Sequence, residues 1–110
     1  MVDTALKDFT KLLEMVPGTE LGSSDWYTVT QDDINTFATL TKDEDPYHVD
    51  PDWAKLNSPL STTISFGFLT LSMLTYFSYQ VFERAGFAHG DNTQMFNFGF
   101  NRLRLPEPVP

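Results

Sequence analysis

The sequence predicts an α+β fold in which one long, largely apolar helix is buried against a sheet. Three patterns predict it. No charged residue occurs between Leu56 and Phe82, so a helix drawn from that run is apolar on nearly every side and needs cover on most faces. Phe96, Phe98 and Phe100 alternate as residues on one face of a strand do. Val2, Ala5, Leu6, Phe9, Leu12, Leu13 and Val16 recur at helical spacing, which predicts a second, amphipathic helix over 3–16.

Taken in order, that first helix ends at Pro17-Gly18, a pair that cannot continue it. A polar loop runs to Asp25, and the β-prone residues Trp26 to Val29 predict a strand. Thr30 with Asp33 three residues on resembles a capping box, with Asp in place of the preferred Glu. The helix it opens buries Ile34, Phe37, Ala38 and Leu40 and stops near Lys42. Pro46 discourages helix at Asp45, whereas Asp50-Pro51 reads as an N-cap followed by proline at the first position of a short helix to Leu56. The long helix starts at Phe66-Gly67 and ends near Ala85, with Gly86 past its end. Ser65, Ser72 and Thr75 give it a small-residue stripe that lets a sheet approach. Gly90-Asp91-Asn92 forms a turn, and Met95 to Leu105 forms a strand. Leu103 and Leu105 have the opposite parity to the phenylalanines, so a bulge near Asn101 is expected. Neither an internal repeat nor a second domain is legible, and 1–110 reads as a single domain.

Composition narrows the function. The chain has 110 residues, 41% of them hydrophobic, with ten phenylalanines, which is enough for one modest core. Seven Lys+Arg against fifteen Asp+Glu give a net charge of −8, which argues against nucleic acid and against an anionic membrane surface. The absence of cysteine excludes a disulfide, a thiolate nucleophile and a cysteine metal site. Asp3 and Asp8 interrupt the N-terminal apolar pattern, so no signal-peptide core is read there and the default compartment is the cytoplasm. The uncharged run is long enough to span a membrane. It carries ten Ser, Thr and Gln side chains and Pro59, however, and a helix buried in a soluble fold explains it better.

The stretch KDEDPYHVDPDW over 42–53 concentrates five carboxylates and one of two histidines. As a calcium loop it fails: counting from Asp43, His48 takes the place of the required glycine and Ala54 that of the bidentate glutamate. Zinc would need a third strong ligand, and His89 lies in a distant turn. No G-x-S-x-G, G-x-G-x-x-G or Walker loop occurs, so neither a nucleophile elbow nor a nucleotide fold is indicated. Two readings stay open. The stretch is a solvated acidic loop with His48 capping a turn, or Asp43 and His48 face each other across the Pro46 turn and share one water. For the second reading, Gly67 at the start of the long helix offers a backbone N–H to stabilise an enolate.

The segments SDWYTVTQDDINTFATLTKDEDPYHVDP, SPLSTTISFGFLTLSML and FNFGFNRLRLPEPVP occur in that order. Together they resemble the MaoC-like (R)-specific enoyl-CoA hydratases, particularly their NodN-type branch, over roughly residues 20–110. The resemblance implies a hot-dog fold, a long helix wrapped by an antiparallel sheet, usually as a dimer. It implies reversible hydration of trans-2-enoyl-CoA to (R)-3-hydroxyacyl-CoA, with Asp43 and His48 as the catalytic pair and Gly67 as the oxyanion-hole residue; from the ligand spacing, no metal is expected, and no cofactor. The alternative is a non-catalytic hot-dog subunit that binds an acyl chain or a partner; a hot-dog thioesterase fits Asp43 and His48 less well.

Departures from the family pattern accompany the match. Lys42 replaces the glycine before the catalytic aspartate, and Ser61-Thr62 replaces a glycine pair. Phe66 replaces a histidine, which would reshape the acyl pocket, and Asp45 replaces Asn or Gln, adding a negative charge that would tune His48. Family domains continue past the PVP segment with further strands. The expectation is therefore a fragment, or a subunit whose incomplete sheet a second copy or another chain completes.

Overall fold

The computed structural model describes residues 7–88 and 96–110. They divide into two compact units: one from Met1–Asp25 and Thr75–Asn101, the other from Trp26–Leu74 and Arg102–Pro110.

In the first unit, β1 (Lys7–Asp8) pairs in parallel with β2 (Phe87–Ala88), Lys7 opposite Phe87. An α-helix is predicted over 3–16; residues 1–6 lie outside the described set, and Phe9–Glu14 form a 3-10 helix instead. Leu13 is 89% and Val16 74% exposed, so burial of an apolar face does not offset the cost of nucleating an α-helix here. Helix α5 (Leu74–Arg84) ends as predicted, with Gly86 at φ +85° and its N–H on Glu83 O. The segment before Trp26 is tied to α5 at two points. Asp25 N–H donates to Gln80 Oε1, and Arg84 reaches Ser23 O and, at 2.8 Å, the Asp25 carboxylate. Both charged groups of that pair are exposed, so it contributes little.

The second unit holds the core. Residues 26–29, where a strand is predicted, form none among the described residues, and Trp26 is fully exposed. Helix α1 (Gln31–Thr41) starts with the predicted capping box: Asp33 N–H donates to Thr30 Oγ1, and Thr30 N–H donates to Asp33 Oδ2, both at 3.1 Å. Lys42 closes it in the left-handed conformation, φ 63°. Ile34 and Ala38 on α1 meet Phe66 in the buried cluster, with Val29, Phe37, Val49 and Leu69 around it. Leu40, expected inside, is exposed.

Where the sequence predicts a loop, a four-residue helix forms. Asp45 in extended conformation accepts Tyr47 N–H at 2.9 Å and caps α2 (Pro46–Val49). Pro46 disfavours helix at Asp45, and an extended residue is what an N-cap requires. Helix α3 (Pro51–Asn57) follows, with Asp50 capping Trp53 N–H as predicted. Tyr47 and Trp53 meet edge to face at 4.8 Å and fasten α2 to α3.

The predicted long helix is two helices, α4 (Gly67–Ser72) and α5, which part at Met73. Ser72 Oγ donates back to Phe68 O at 2.8 Å, and Met73 N–H is shared between Leu69 O and Thr70 O. Both bonds loosen the regular ladder at that point. Its expected burial on most faces is absent as well: Phe68, Leu74, Tyr76 and Tyr79 are exposed.

The turn at 90–92 and the start of the last predicted strand lie outside the described residues. Residues 96–105 form no strand among those described, and Phe96 and Phe98 are exposed. The terminal run instead lies along residues 65–67. Val109 O accepts Ser65 N–H at 2.7 Å, and the Leu105 side chain stands against Gly67. Among the described residues, no helix is long and apolar enough to cross a membrane.

Candidate active site

The short helix α2 and the extended run before α4 bring two of the sequence candidates together. Ile64 N–H donates to Tyr47 O at 3.0 Å, and His48 Nδ1 lies 2.6 Å from Ile64 O. A carbonyl oxygen only accepts, so Nδ1 carries the proton in that bond. The neutral ring is thereby fixed as the Nδ1–H tautomer, with the Nε2 lone pair available for proton exchange. The ring is half-buried and stacks on Phe66, centroids 3.8 Å apart and planes 23° from parallel. Phe66 is 5% exposed and also packs on Phe37 at 4.9 Å. One face of His48 is therefore shielded by the core itself. Phe66, a departure from the family pattern in the sequence, is the floor under the imidazole.

Gly67 follows Phe66 and begins α4. As the first helical residue it holds one of the N–H groups that a helix leaves without an intrahelical acceptor. A Cβ built on it would collide with the Leu105 side chain, whose Cγ would lie 3.3 Å away. Close approach of that side chain is what glycine permits here.

Asp43 lies just past the αL residue Lys42, its N–H bonded to Ala38 O at 3.1 Å. Its carboxylate is exposed, and no hydrogen bond joins it to His48 among the described residues. Asp45, considered as a tuner of His48, has its carboxylate on Tyr47 N–H as the α2 cap. The structure thus stacks His48 on Phe66, with Gly67 next along the chain and Asp43 exposed before α2.

Two features had no signature in the sequence. One is the Ile64 carbonyl, because a main-chain acceptor carries no residue code. The other is Gln31, which donates to His48 O at 2.8 Å and accepts from Thr63 Oγ1 at 2.6 Å. A cavity of about 220 Å³ is lined by Val29, Phe37, Leu40, Leu69 and Met73, with Tyr27, Asp33 and Thr36 completing it. Asp33 is held below the usual carboxylate range, first by the Thr30 N–H bond and then by Tyr27 Oη at 2.8 Å. Among the described residues, no group of three His, Asp or Glu side chains is arranged to hold a metal ion.

Comparison with known proteins agrees with the motif order. Residues 13–110 match the family described as MaoC like domain. The 3-hydroxyacyl-thioester dehydratase Z of Mycobacterium tuberculosis is 39% identical over 98 residues, covering 89% of this chain and 61% of that protein. Nodulation protein N of Rhizobium meliloti is 37% identical over 109 residues, covering 99% of this chain and 63% of its own length. Nodulation protein N of Rhizobium leguminosarum bv. viciae is 39% identical over 92 residues, 84% of this chain and 55% of its own. The chain therefore spans about three-fifths of the length of the curated relatives it matches. The family carries the hot-dog fold, although strand pairing among the described residues is limited to β1 and β2. The match over 13–110 and these relatives make the chain a member of the MaoC-like dehydratase family, on its NodN side.

Proposed function

We propose that this chain carries the water-handling site of an (R)-specific enoyl-CoA hydratase, acting reversibly on trans-2-enoyl-CoA and (R)-3-hydroxyacyl-CoA. The observation that carries the reading is the 2.6 Å contact between His48 Nδ1 and Ile64 O. It commits one ring nitrogen and leaves Nε2 to move a proton, as general acid–base catalysis requires. A water held between Asp43 and His48 gives one proton to the pair as its oxygen bonds to the β-carbon. The displaced π electrons reach the thioester oxygen, where Gly67 N–H stabilises the enolate. The pair then returns a proton to the α-carbon, so one water is consumed and the double bond is saturated. Dehydration runs the same steps backwards. The largely apolar cavity that Phe37 lines offers room for acyl carbons. The site works in the cytoplasm, in a homodimer or with a partner subunit.

A second reading, a non-catalytic subunit that binds an acyl chain or a partner, is favoured by one observation. Among the described residues Asp43 makes no bond to His48. Incubation with trans-2-butenoyl-CoA and chiral analysis of the product separates the two. The hydratase reading expects (R)-3-hydroxybutanoyl-CoA. Saturable binding of the thioester without turnover supports the second reading and defeats the first.

A further inference from the structure

We infer that Gln31 is the positioning residue for His48, an inference that rests on the hydratase reading above for its kinetic consequence. His48 is the third residue of a four-residue helix, far too short to hold its own geometry. Its place must come from outside α2. Besides Ile64 and Phe66, Gln31, the first residue of α1 and half-buried, supplies a side-chain contact from outside. Its Nε2 donates to His48 O at 2.8 Å and to Asn35 Oδ1 at 2.9 Å, and its Oε1 accepts from Thr63 Oγ1 at 2.6 Å. Both amide hydrogens are engaged. The amide orientation follows from chemistry, since a flipped Oε1 would face a carbonyl that can only accept.

Thr63 is buried and adjacent to Ile64, whose carbonyl holds the His48 ring. The contacts therefore close a circuit through three chain segments: Gln31 to His48 main chain, His48 ring to Ile64, and Thr63 back to Gln31. The amide braces α2 against the run that bonds the imidazole, beside the direct Ile64 N–H bond to Tyr47 O and the Phe66 stack. Moving the amide changes where Nε2 points without removing any group that meets substrate.

Gln31→Glu keeps the size and the acceptor for Thr63 but sets a carboxylate against His48 O. Thr63→Val removes the other arm, and Thr63→Ser keeps it. Each variant is checked for folding by circular dichroism, then assayed for trans-2-butenoyl-CoA hydration and for the His48 Nδ1–H signal by ¹⁵N-resolved NMR. A positioning role predicts a kcat fall of about 100-fold for Gln31→Glu with little change in KM. It also predicts faster solvent exchange and a shift of the Nδ1–H signal, with Thr63→Val intermediate and Thr63→Ser near wild type. Folded Gln31→Glu and Thr63→Val proteins with unchanged kcat and ring signal would overturn it. So would unfolding of both, which would make Gln31 a residue of the fold rather than of His48. Failure of the wild-type protein to hydrate the thioester counts against the reaction, and the ring signal alone then decides the positioning.

Discussion

His48 and Ile64 are joined through a ring nitrogen and a main-chain carbonyl, 2.6 Å apart. On the proposed hydratase reading, the bond separates two roles of one side chain: Nδ1 is held by Ile64 O, and Nε2 is left for proton transfer. His48→Asn keeps a donor near the Nδ1 position and deletes Nε2. Its melting temperature is expected to stay within a few degrees of wild type. Hydration should fall by about 10²- to 10⁴-fold, the range of a lost general acid–base group. Calorimetry and the thioester assay on one preparation check both halves.

Gly67 and Leu105 make a second testable pair. Gly67→Ala pushes a methyl group into the Leu105 side chain, half-exposed and free to give way at its tip. The expected cost is about 1 kcal/mol, the low end for overpacking. In a Leu105→Ala background the same change is expected to be neutral or stabilising, because alanine narrows the unfolded ensemble relative to glycine. A double-mutant cycle by chemical denaturation measures the difference.

Ser65 Oγ is buried without a hydrogen-bond partner among the described residues. Burying an unpaired hydroxyl is unfavourable, so Ser65→Ala is expected to raise stability by about 1 kcal/mol. A loss of stability on that change, read by denaturant titration, would mean that the hydroxyl has a partner in the folded protein.

The α1 cap carries a pH dependence of known sign. Asp33 is held below the usual carboxylate range by Thr30 N–H first and Tyr27 Oη second. A lowered folded value contributes stability that is full above the unfolded value, about 3.9 for aspartate, and is lost as pH falls through the lower folded one. Tyr27→Phe is expected to move the Asp33 titration upward, and Asp33→Asn to remove this contribution to acid sensitivity. Carboxyl-carbon NMR on the first and acid unfolding of the second are the checks.

The parts of this structure legible in the sequence are those set by neighbours a few positions away. The Thr30–Asp33 box, the stop at Lys42, the Asp50 cap and the glycine after α5 all follow from local backbone chemistry. Asp45 belongs with them, because proline is also favoured at the first position of a helix and keeps the residue before it extended, as an N-cap is. Strand pairing was not legible, because a ladder depends on residues far along the chain, and Trp26 to Val29 finds none among those described. The break at Met73 turns on Ser72 bonding backwards, a choice that a composition of small polar residues does not reveal. At the site, family motifs pointed to Asp43, His48 and Gly67. The Ile64 carbonyl, the Gln31 clamp and the Phe66 floor depend on which segments meet in space.

Whether Asp43 and His48 handle the water is decided by the loss of enoyl absorbance when trans-2-butenoyl-CoA is added to wild-type, Asp43→Asn and His48→Asn proteins. A water-handling pair predicts a steady loss with the wild-type chain and almost none with either folded variant. Equal rates in all three proteins would contradict it.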